Sequence, residues 1–457
     1  MRRLRLKISE SDFNQIQELT LGAMPNEGAA FALAGVHETA DAITVLVRRV
    51  LAIPAEAYKA QLEYHLEIWP SAINGLISLC EANGLGGVLC HSHGIDVGYS
   101  PTDDMGEAKV FDVLRRFAPA GAPTASLLFT PKGVRGRLWP TDGAHPVDLD
   151  EVVVVGRTIT TFSRLNHGLV ETGEVHSRQV LAFGIDGQVK LQQARVAIVG
   201  VGGTGSPVAE QIARLGVRDI VLIDPELVDS SNLSRVYGAF PESVGRPKVE
   251  VIAEHLEHIS PACRVNPIKG SVVLRDVAPA LLDRDIIFLC TDEHWGRSFV
   301  NQVAYQYLIP TINLGVRITS TKGGIEHGVG IVDVLRPDMP CLWCSQFLSA
   351  ERIAAESMPK PDRAKLESEG YVQGIDTAAP SVVSSTSAVA SLGVSALLQL
   401  LTDFMGEKGA IARLNYDLLE GTVRRGRSQV AHPCVCSRVR AKGDLAALPT
   451  VSQVPCR

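Results

Sequence analysis

The sequence predicts an α/β protein of two domains, and three observations support this. The chain has 457 residues, which is too long for one ordinary hydrophobic core. From Arg195 onward, apolar strand-like segments alternate with helical stretches, a pattern typical of a parallel, helix-covered sheet. Before that point, helical periodicity mixes with short apolar strands. We therefore expect one domain over residues 1–150, a linker over 151–190, a second domain over 191–440 and a flexible tail over 441–457.

Composition excludes several classes of protein. Hydrophobic residues make up 46% of the chain and charged residues 21%, as in a folded protein. A formal net charge of -6 gives no electrostatic reason to expect nucleic acid or an anionic membrane as partner. No run approaches the roughly 20 apolar residues of a membrane span. The basic start at Met1 lacks the apolar region of a secretory signal. We therefore predict a cytoplasmic protein, whose nine cysteines serve as metal ligands, buried thiols or nucleophiles rather than disulfides.

Local patterns place the main elements. Periodicity predicts helices over 11–21 and 73–83, and apolar strands over 28–36 and 86–90. In the second half, the clearest strands are expected over 195–199, 219–223 and 285–289. The charged stretch 350–374 contains a Pro-Lys-Pro sequence, which favours a mobile crossing loop or lid.

A glycine-rich turn follows the strand predicted over 195–199. It contains Gly200, Gly202, Gly203 and Gly205 and leads into an apolar helix predicted over 206–215. Glycines allow the backbone to approach a phosphate at a helix N-terminus, where unpaired N–H groups favour anions. Asp224 ends the next strand, where a carboxylate can bind ribose hydroxyls. The turn by itself indicates a nucleotide, and a dehydrogenase remains an alternative.

The residues downstream favour adenylation over hydride transfer. Asn232, Arg235, Lys248 and Asp292 follow the glycine turn in the chain. When a carboxylate attacks the α-phosphate of ATP, cations and usually Mg²⁺ stabilise the pyrophosphate that leaves. Asp292 lies just past a predicted strand end, where ligands bind in open α/β sheets, and is placed to hold that metal.

Together these motifs resemble the ThiF/MoeB/ubiquitin-activating family over about residues 175–435. The resemblance implies a doubly wound, Rossmann-like fold, ATP and Mg²⁺ as cofactors, and a partner that is a ubiquitin-like protein or sulfur carrier ending in glycine. It also implies a homodimer, in which Arg178 would reach the nucleotide of the partner, although Val175 replaces the first arginine of that segment. A conjugating-enzyme-like protein is a further candidate partner. The glycine turn, Asp224, Asn232, Arg235, Lys248 and Asp292 are the matching positions.

Two cysteine pairs suggest a structural metal. Cys341 and Cys344 form a CxxC pair, and Cys434 and Cys436 form a CxC pair. Four thiolates satisfy a tetrahedral zinc. The family resemblance implies such a Cys₄ zinc, usually built from two CxxC pairs, so His432 remains an alternative to one ligand here. No cysteine lies between the two pairs, which argues against the ordinary thioester step of ubiquitin-activating enzymes.

A second metal site is predicted in the first domain. His91 and His93 are two residues apart on a strand, so they point to the same side and can bind one ion. A carboxylate about ten residues later, Asp103 or Asp104, would complete a three-ligand zinc with an open position for water. Glu27, which heads an apolar strand, is a candidate general base.

This pattern resembles the JAMM (JAB) metalloprotease family over about residues 10–145. The resemblance implies cleavage after the C-terminal glycine of ubiquitin-like proteins, with Ser100 stabilising the oxyanion when Asp103 is the ligand. Gly94 stands where the family usually has proline, and the loop to Asp103 is one residue shorter than usual. A solvated loop without metal, or a metal used only for binding, remains an alternative.

The two halves act on the same chemical group. One would activate the C-terminal glycine of a ubiquitin-like protein, and the other would expose or release it. The sequence thus predicts a fused activating enzyme and deconjugating peptidase of a bacterial ubiquitin-like pathway. A sulfur-carrier activating enzyme with a cap-removing peptidase, an NAD-linked oxidoreductase and a non-catalytic scaffold remain alternatives. Whether peptidase action serves precursors or conjugates stays open.

Overall fold

The computed structural model describes residues 2–140, 145–164, 173–321, 323–359, 361–363 and 380–454. The chain forms two compact units. The first contains residues 1–168, 306–308 and 439–447, and the second contains the remainder.

The first unit contains eleven described strands and three described α-helices. In chain order they are β1 (Arg3–Ser9), α1 (Glu10–Leu21), β2 (Ala29–Glu38), β3 (Ala42–Ala52), β4 (Tyr58–Leu62), β5 (His65–Ile68), α2 (Pro70–Asn83), β6 (Gly86–Ser92), α3 (Pro101–Phe117), β7 (Thr124–Thr130), β8 (Gly133–Leu138), β9 (Val147–Asp148), β10 (Glu151–Val155) and β11 (Ile159–Ser163).

Nine of these strands form one mixed sheet in the order β11-β10-β1-β3-β2-β6-β7-β8-β9. Strands β4 and β5 form a separate hairpin. Small residues along β2 allow its neighbours to pack closely, and nine of its ten residues are buried. The central strands β2 and β6 are antiparallel, with Ala29 opposite His91. This register places the start of β2 beside the end of β6, where the histidine pair lies.

The second unit begins with a helix and continues with alternating strands and helices. In chain order these are α4 (Ser177–Gln193), β12 (Arg195–Val199), α5 (Gly205–Arg214), β13 (Asp219–Ile223), α6 (Lys248–Ile259), β14 (Arg264–Ile268), α7 (Pro279–Leu282), β15 (Ile286–Leu289), α8 (His294–Gln306), β16 (Thr311–Thr321), β17 (Gly324–Leu335), α9 (Ala350–Glu356), α10 (Val383–Thr402), β18 (Arg413–Asp417), β19 (Thr422–Arg425) and α11 (Val435–Val439).

The sheet of the second unit has the order β14-β13-β12-β15-β16-β17-β18-β19. Strands β14, β13, β12, β15 and β16 pair in parallel, and the last three pairings are antiparallel. After β12, strands β13 and β14 extend the sheet on one side of β12, and β15 then adds to its other side. Ligands of open α/β sheets bind at such a switch point, beyond the carboxyl ends of the strands. The expected α/β architecture of this half is confirmed.

The strands predicted over 195–199 and 219–223 have the predicted bounds, and the helices and strands expected before residue 91 are present. The linker expected over 151–190 is wrong. Residues 151–155 form β10, whose five residues are all buried in the first sheet, and residues 177–193 form α4. The apolar run Val152–Val155 is long enough to fill a buried strand, which the irregular pattern around it concealed.

The end of the chain also differs from the expected flexible tail. Gly443 forms a β-bridge with Val36, and the backbone N–H of Val451 donates to the carbonyl of Val273 at 3.0 Å. Backbone groups that pair with neighbouring segments hold this stretch in place. Residues 455–457, including Cys456, lie outside the described part.

Two further expectations concern the segment between the cysteine pairs. The predicted lid over 350–374 begins with α9, and most of its remainder lies outside the described residues. Helix α10 has 20 residues and a mean hydropathy of 1.4, so by length and composition alone it could cross a membrane. From the sequence we expected no segment of this kind. Half of that stretch is buried inside the protein, as in the core helix of a globular domain.

Candidate functional sites

The glycine-rich turn joins β12 to α5 at the switch point of the second sheet. Gly200 has a φ of 87°, and a Cβ built on it would lie 2.6 Å from the backbone nitrogen of Thr291. A Cβ on Gly205 would lie 1.9 Å from the carbonyl oxygen of Gly200. At Gly202 an added Cβ would meet no atom within 4 Å. The turn is therefore packed tightly on its inner side and open at Gly202, which is the shape of a phosphate cradle.

Asp224 connects the turn to the end of β13. Its carboxylate accepts hydrogen bonds from the backbone N–H groups of Val201 at 2.8 Å and Glu226 at 2.9 Å. The side chain is 5% exposed, and burial raises its pKa, partly offset by the charge of Lys248. Asp224 thus holds the shape of the cradle, besides its predicted role on the ribose.

Two predicted cations lie near this turn. A Cβ built on Gly203 would be 3.1 Å from the Cδ atom of Arg235, so the arginine packs against the cradle. Lys248, at the first position of α6, is 6% exposed and forms an ion pair with Glu226. Sequence patterns alone do not identify Glu226 as the partner of Lys248. Its position two residues after Asp224 is the one signal that could have indicated a place near the glycine turn. The positively charged side chains of Arg235 and Lys248 and the open cradle together suit a polyphosphate ligand.

Other predicted residues take different places. Asn232 is buried, and its side-chain oxygen accepts from the backbone N–H of Asp229 at 3.2 Å, which stabilises the loop before Arg235. Asp292 is exposed just beyond β15. Near it, Arg297 is buried and donates to the side chain of Asn313, and burial lowers its pKa to about 10.

Arg178 lies on α4 and is exposed to solvent in the single chain. Its predicted action on the nucleotide of a second protomer, like the homodimer, stays a prediction.

The four predicted cysteines converge at one point. The Sγ atom of Cys344 lies 3.6 Å from that of Cys341, 3.5 Å from that of Cys434 and 3.7 Å from that of Cys436. The edges of a tetrahedron with Zn–S bonds of about 2.3 Å are about 3.8 Å long. The four sulfurs therefore fit a structural zinc. His432 is exposed, whereas Cys436 lies within the cluster.

The histidine site lies at the ends of β6 and β2 in the first unit. The Nε2 atom of His91 is 3.4 Å from Oδ1 of Asp103, and Nε2 of His93 is 3.5 Å from Oδ2 of the same carboxylate. The ligand atoms of these three residues lie within 4.8 Å of one another. Bonds of about 2.0–2.1 Å from a tetrahedral zinc would separate its ligand atoms by about 3.4 Å. Two imidazoles and one carboxylate with this spacing fit a zinc that keeps an open position.

Glu27 faces this site from the start of β2. Its Oε1 atom lies 3.7 Å from Nε2 of His93. Burial raises the pKa of Glu27, while the neighbouring histidines oppose that rise. Burial also raises the pKa of Asp103, but hydrogen bonds from His91 and His93 outweigh it and hold that pKa well below its usual value. Glu27 is therefore the more proton-accepting carboxylate, as a general base must be.

Local capping decides the geometry of Ser100 and Asp103. Ser100 is the N-cap of α3, where its Oγ accepts from the backbone N–H of Asp103 at 3.2 Å. In return, the Asp103 carboxylate accepts from the backbone N–H of Ser100 at 2.6 Å. This capping box aims Asp103 at the histidines. Asp104, the alternative ligand, instead pairs with Arg137.

Comparisons with known proteins identify a family and two similar relatives. The ThiF family model matches residues 176–437, more than half of the chain. The SAMP-activating enzyme E1 of Haloferax volcanii is 30% identical over 37% of this chain and 60% of its own length. The molybdopterin-synthase adenylyltransferase of Escherichia coli is 31% identical over 30% of this chain. The chain spans 56% of that relative.

Among solved structures, the microcin C7 biosynthetic enzyme MccB in complex with N-formylated MccA is similar at 19% identity, with a TM-score of 0.48. The match covers 58% of this chain and 75% of that one.

Proposed function

The chain belongs to the ThiF family, and from that premise we propose that it uses ATP to adenylate the C-terminal glycine of a ubiquitin-like or sulfur-carrier protein. The relatives named for SAMP activation and for molybdopterin-synthase adenylyl transfer support this substrate class. The observation on which the proposal depends is the open cradle at Gly202, with Arg235 packed against Gly203 and the charge of the buried Lys248 acting on Asp224. An NAD-linked oxidoreductase has little use for these cations, so the family match and the cradle favour adenylation.

The chemistry follows from these residues. The glycine carboxylate of the partner attacks the α-phosphorus of ATP, a new acyl–phosphate bond forms, and the bond to the β-phosphate oxygen breaks to release pyrophosphate. Arg235 and Lys248 would offset the charge that develops on the phosphates. Asp292 would hold Mg²⁺, which neutralises the charge of the leaving pyrophosphate.

The fate of the adenylate follows from the cysteines. The chain has no cysteine between Cys344 and Cys434, where thioester-forming relatives of ubiquitin-activating enzymes place their nucleophile. We infer that the acyl-adenylate passes directly to a cysteine of a partner protein, such as a conjugating enzyme, or to a sulfur donor. Thiocarboxylate on the carrier without protein conjugates would favour the sulfur-transfer version.

The test is ATP–pyrophosphate exchange with glycine-ended proteins encoded near this one. Wild type and Glu27→Ala should exchange equally, and Asp292→Ala should lose at least about 100-fold, since a missing electrostatic stabiliser typically costs that much. Exchange that survives in Asp292→Ala would contradict the assigned metal ligand. No exchange with any partner would remove the adenylation proposal and favour a non-catalytic scaffold.

For the first unit we propose a second activity, zinc-dependent cleavage after the C-terminal glycine of the same partner. The convergence of Glu27 on the site of His91, His93 and Asp103 favours it. A bound zinc supplies Lewis acidity and lowers the pKa of its water. Glu27 would accept a proton from the water that attacks the carbonyl of the terminal glycine, and would pass it to the amine that leaves as the C–N bond breaks. The Ser100 hydroxyl, whose oxygen accepts from the backbone N–H of Asp103, would donate its proton in a hydrogen bond to the oxyanion.

This second activity is tested on a fusion that carries a peptide after the terminal glycine. Wild type should release the peptide, whereas Glu27→Gln should lose at least about 100-fold in rate while it still binds zinc, because general-base catalysis contributes on that order. Cleavage by Glu27→Gln at the wild-type rate would overturn the assignment of the base. Asp292→Ala is the matched control, which should cleave normally.

A further inference from the structure

Glu107 and Arg137 form a buried ion pair near the histidine site. We propose that Glu107 is a positioning residue for two metal ligands: for Asp103 through helix α3, and for His91 through Arg137 and Tyr99. This inference rests on the metal-binding part of the proposed function.

Glu107 connects the ligand-bearing helix to the sheet. It lies four residues after Asp103 on α3, so the two side chains project from the same side of the helix. Its Oε2 atom accepts from Oγ of Ser126 at 2.7 Å and from Nε1 of Trp139 at 2.7 Å. Ser126 lies on β7 and Trp139 directly follows β8. These bonds hold the first turns of α3, and with them Asp103, at a defined distance from the sheet that bears the histidines.

Arg137 extends this connection toward the other ligand. Its Nε donates to Oε2 of Glu107 at 3.0 Å, and both side chains are 6% exposed. The guanidinium lies over the ring of Tyr99, 3.7 Å from the ring centroid. The Tyr99 ring in turn contacts that of His91, with centroids 5.8 Å apart at an angle of 63°. The position of the arginine therefore determines where the tyrosine can support the histidine.

A guanidinium this deeply buried needs a close counter-charge. Asp104 also pairs with Arg137, but the side chain of Asp104 is 55% exposed, so Glu107 is the buried counter-ion. Without that charge, we expect the arginine to move toward Asp104 and solvent, away from the Tyr99 ring. The anchoring of α3, which positions Asp103, and the ring contact of Tyr99, which supports His91, would then both loosen. If the ion pair served folding alone, its loss would lower stability without changing metal affinity at this site.

The test measures Co²⁺ affinity of the full chain, with chelator competition. Thiolate-to-metal charge-transfer bands report the cysteine cluster, and weaker d–d bands that vanish in His91→Ala report the histidine site. Glu107→Gln should weaken the histidine site about tenfold or more, since residues that orient metal ligands typically contribute 10–100-fold. The cysteine bands should not change.

Glu151→Gln is the matched control. Glu151 is 7% exposed and pairs with Arg3 at 2.7 Å in the same unit, so its substitution should reduce stability and leave cobalt affinity within about twofold of wild type. A second pair of variants avoids the buried charge: Tyr99→Phe keeps the ring and should bind like wild type, whereas Tyr99→Leu should weaken binding about tenfold.

Three results would overturn the inference. Glu107→Gln with wild-type cobalt affinity would overturn it alone. Equal losses in Glu107→Gln and Glu151→Gln would show a general loosening of the fold instead. A wild-type chain without any His91-dependent cobalt band would overturn the metallopeptidase proposal and this inference with it.

Discussion

At the scale of single residues, steric fit at the glycine turn decides whether the cradle forms. We predict that Gly205→Ala destabilises the protein by about 1–3 kcal/mol, because its Cβ would lie 1.9 Å from the carbonyl of Gly200 and overpacking costs about that much. ATP binding should be lost as well. Gly202→Ala is the control, since its Cβ would meet no atom within 4 Å, and its unfolding temperature should match that of wild type. Thermal unfolding and ATP titration check both variants. An unfolding temperature of Gly205→Ala equal to that of Gly202→Ala would contradict the packing argument.

At the scale of elements, the cysteine cluster joins the segment after β17 to α11. We predict that Cys436→Ser loses zinc and about 4 kcal/mol or more of unfolding free energy, because loss of a structural metal is among the largest single-site effects. Cys263→Ala, a buried cysteine of the same unit outside the cluster, should retain zinc. Metal analysis and denaturant unfolding measure both quantities. A Cys436→Ser variant that keeps its zinc would favour His432 as the fourth ligand.

At the scale of the whole molecule, the first unit is completed by residues far along the chain. Asp444 accepts from the backbone N–H of Glu38 at 2.8 Å and lies 3.1 Å from Nδ1 of His37. We predict that Asp444→Ala lowers the unfolding free energy of this unit by about 1.5–3 kcal/mol, the range for hydrogen bonds to charged groups. Glu38→Ala removes only an exposed ion pair with Arg2 and should cost less than about 1 kcal/mol. Denaturant unfolding compares the two variants, and similar losses would mean that the Asp444 contacts contribute little.

The sequence alone predicts the elements whose signals are local. The strand before Gly200, the alternation that follows it and the HxH spacing of His91 and His93 depend on residues that are neighbours in the chain, and steric and periodic rules act at that range. It also narrowed the ligand after the histidines to Asp103 or Asp104.

The folded arrangement was needed to establish the contacts between distant segments. It distinguishes the two candidate ligands. A capping box directs the carboxylate of Asp103 to the histidines, whereas that of Asp104 pairs with Arg137. It placed residues 151–155 inside a buried sheet, although no local pattern shows which strand pairs with β10. It showed Glu107 behind the histidine site, where burial and charge pairing depend on packing among α3, β7 and β8 rather than on sequence spacing.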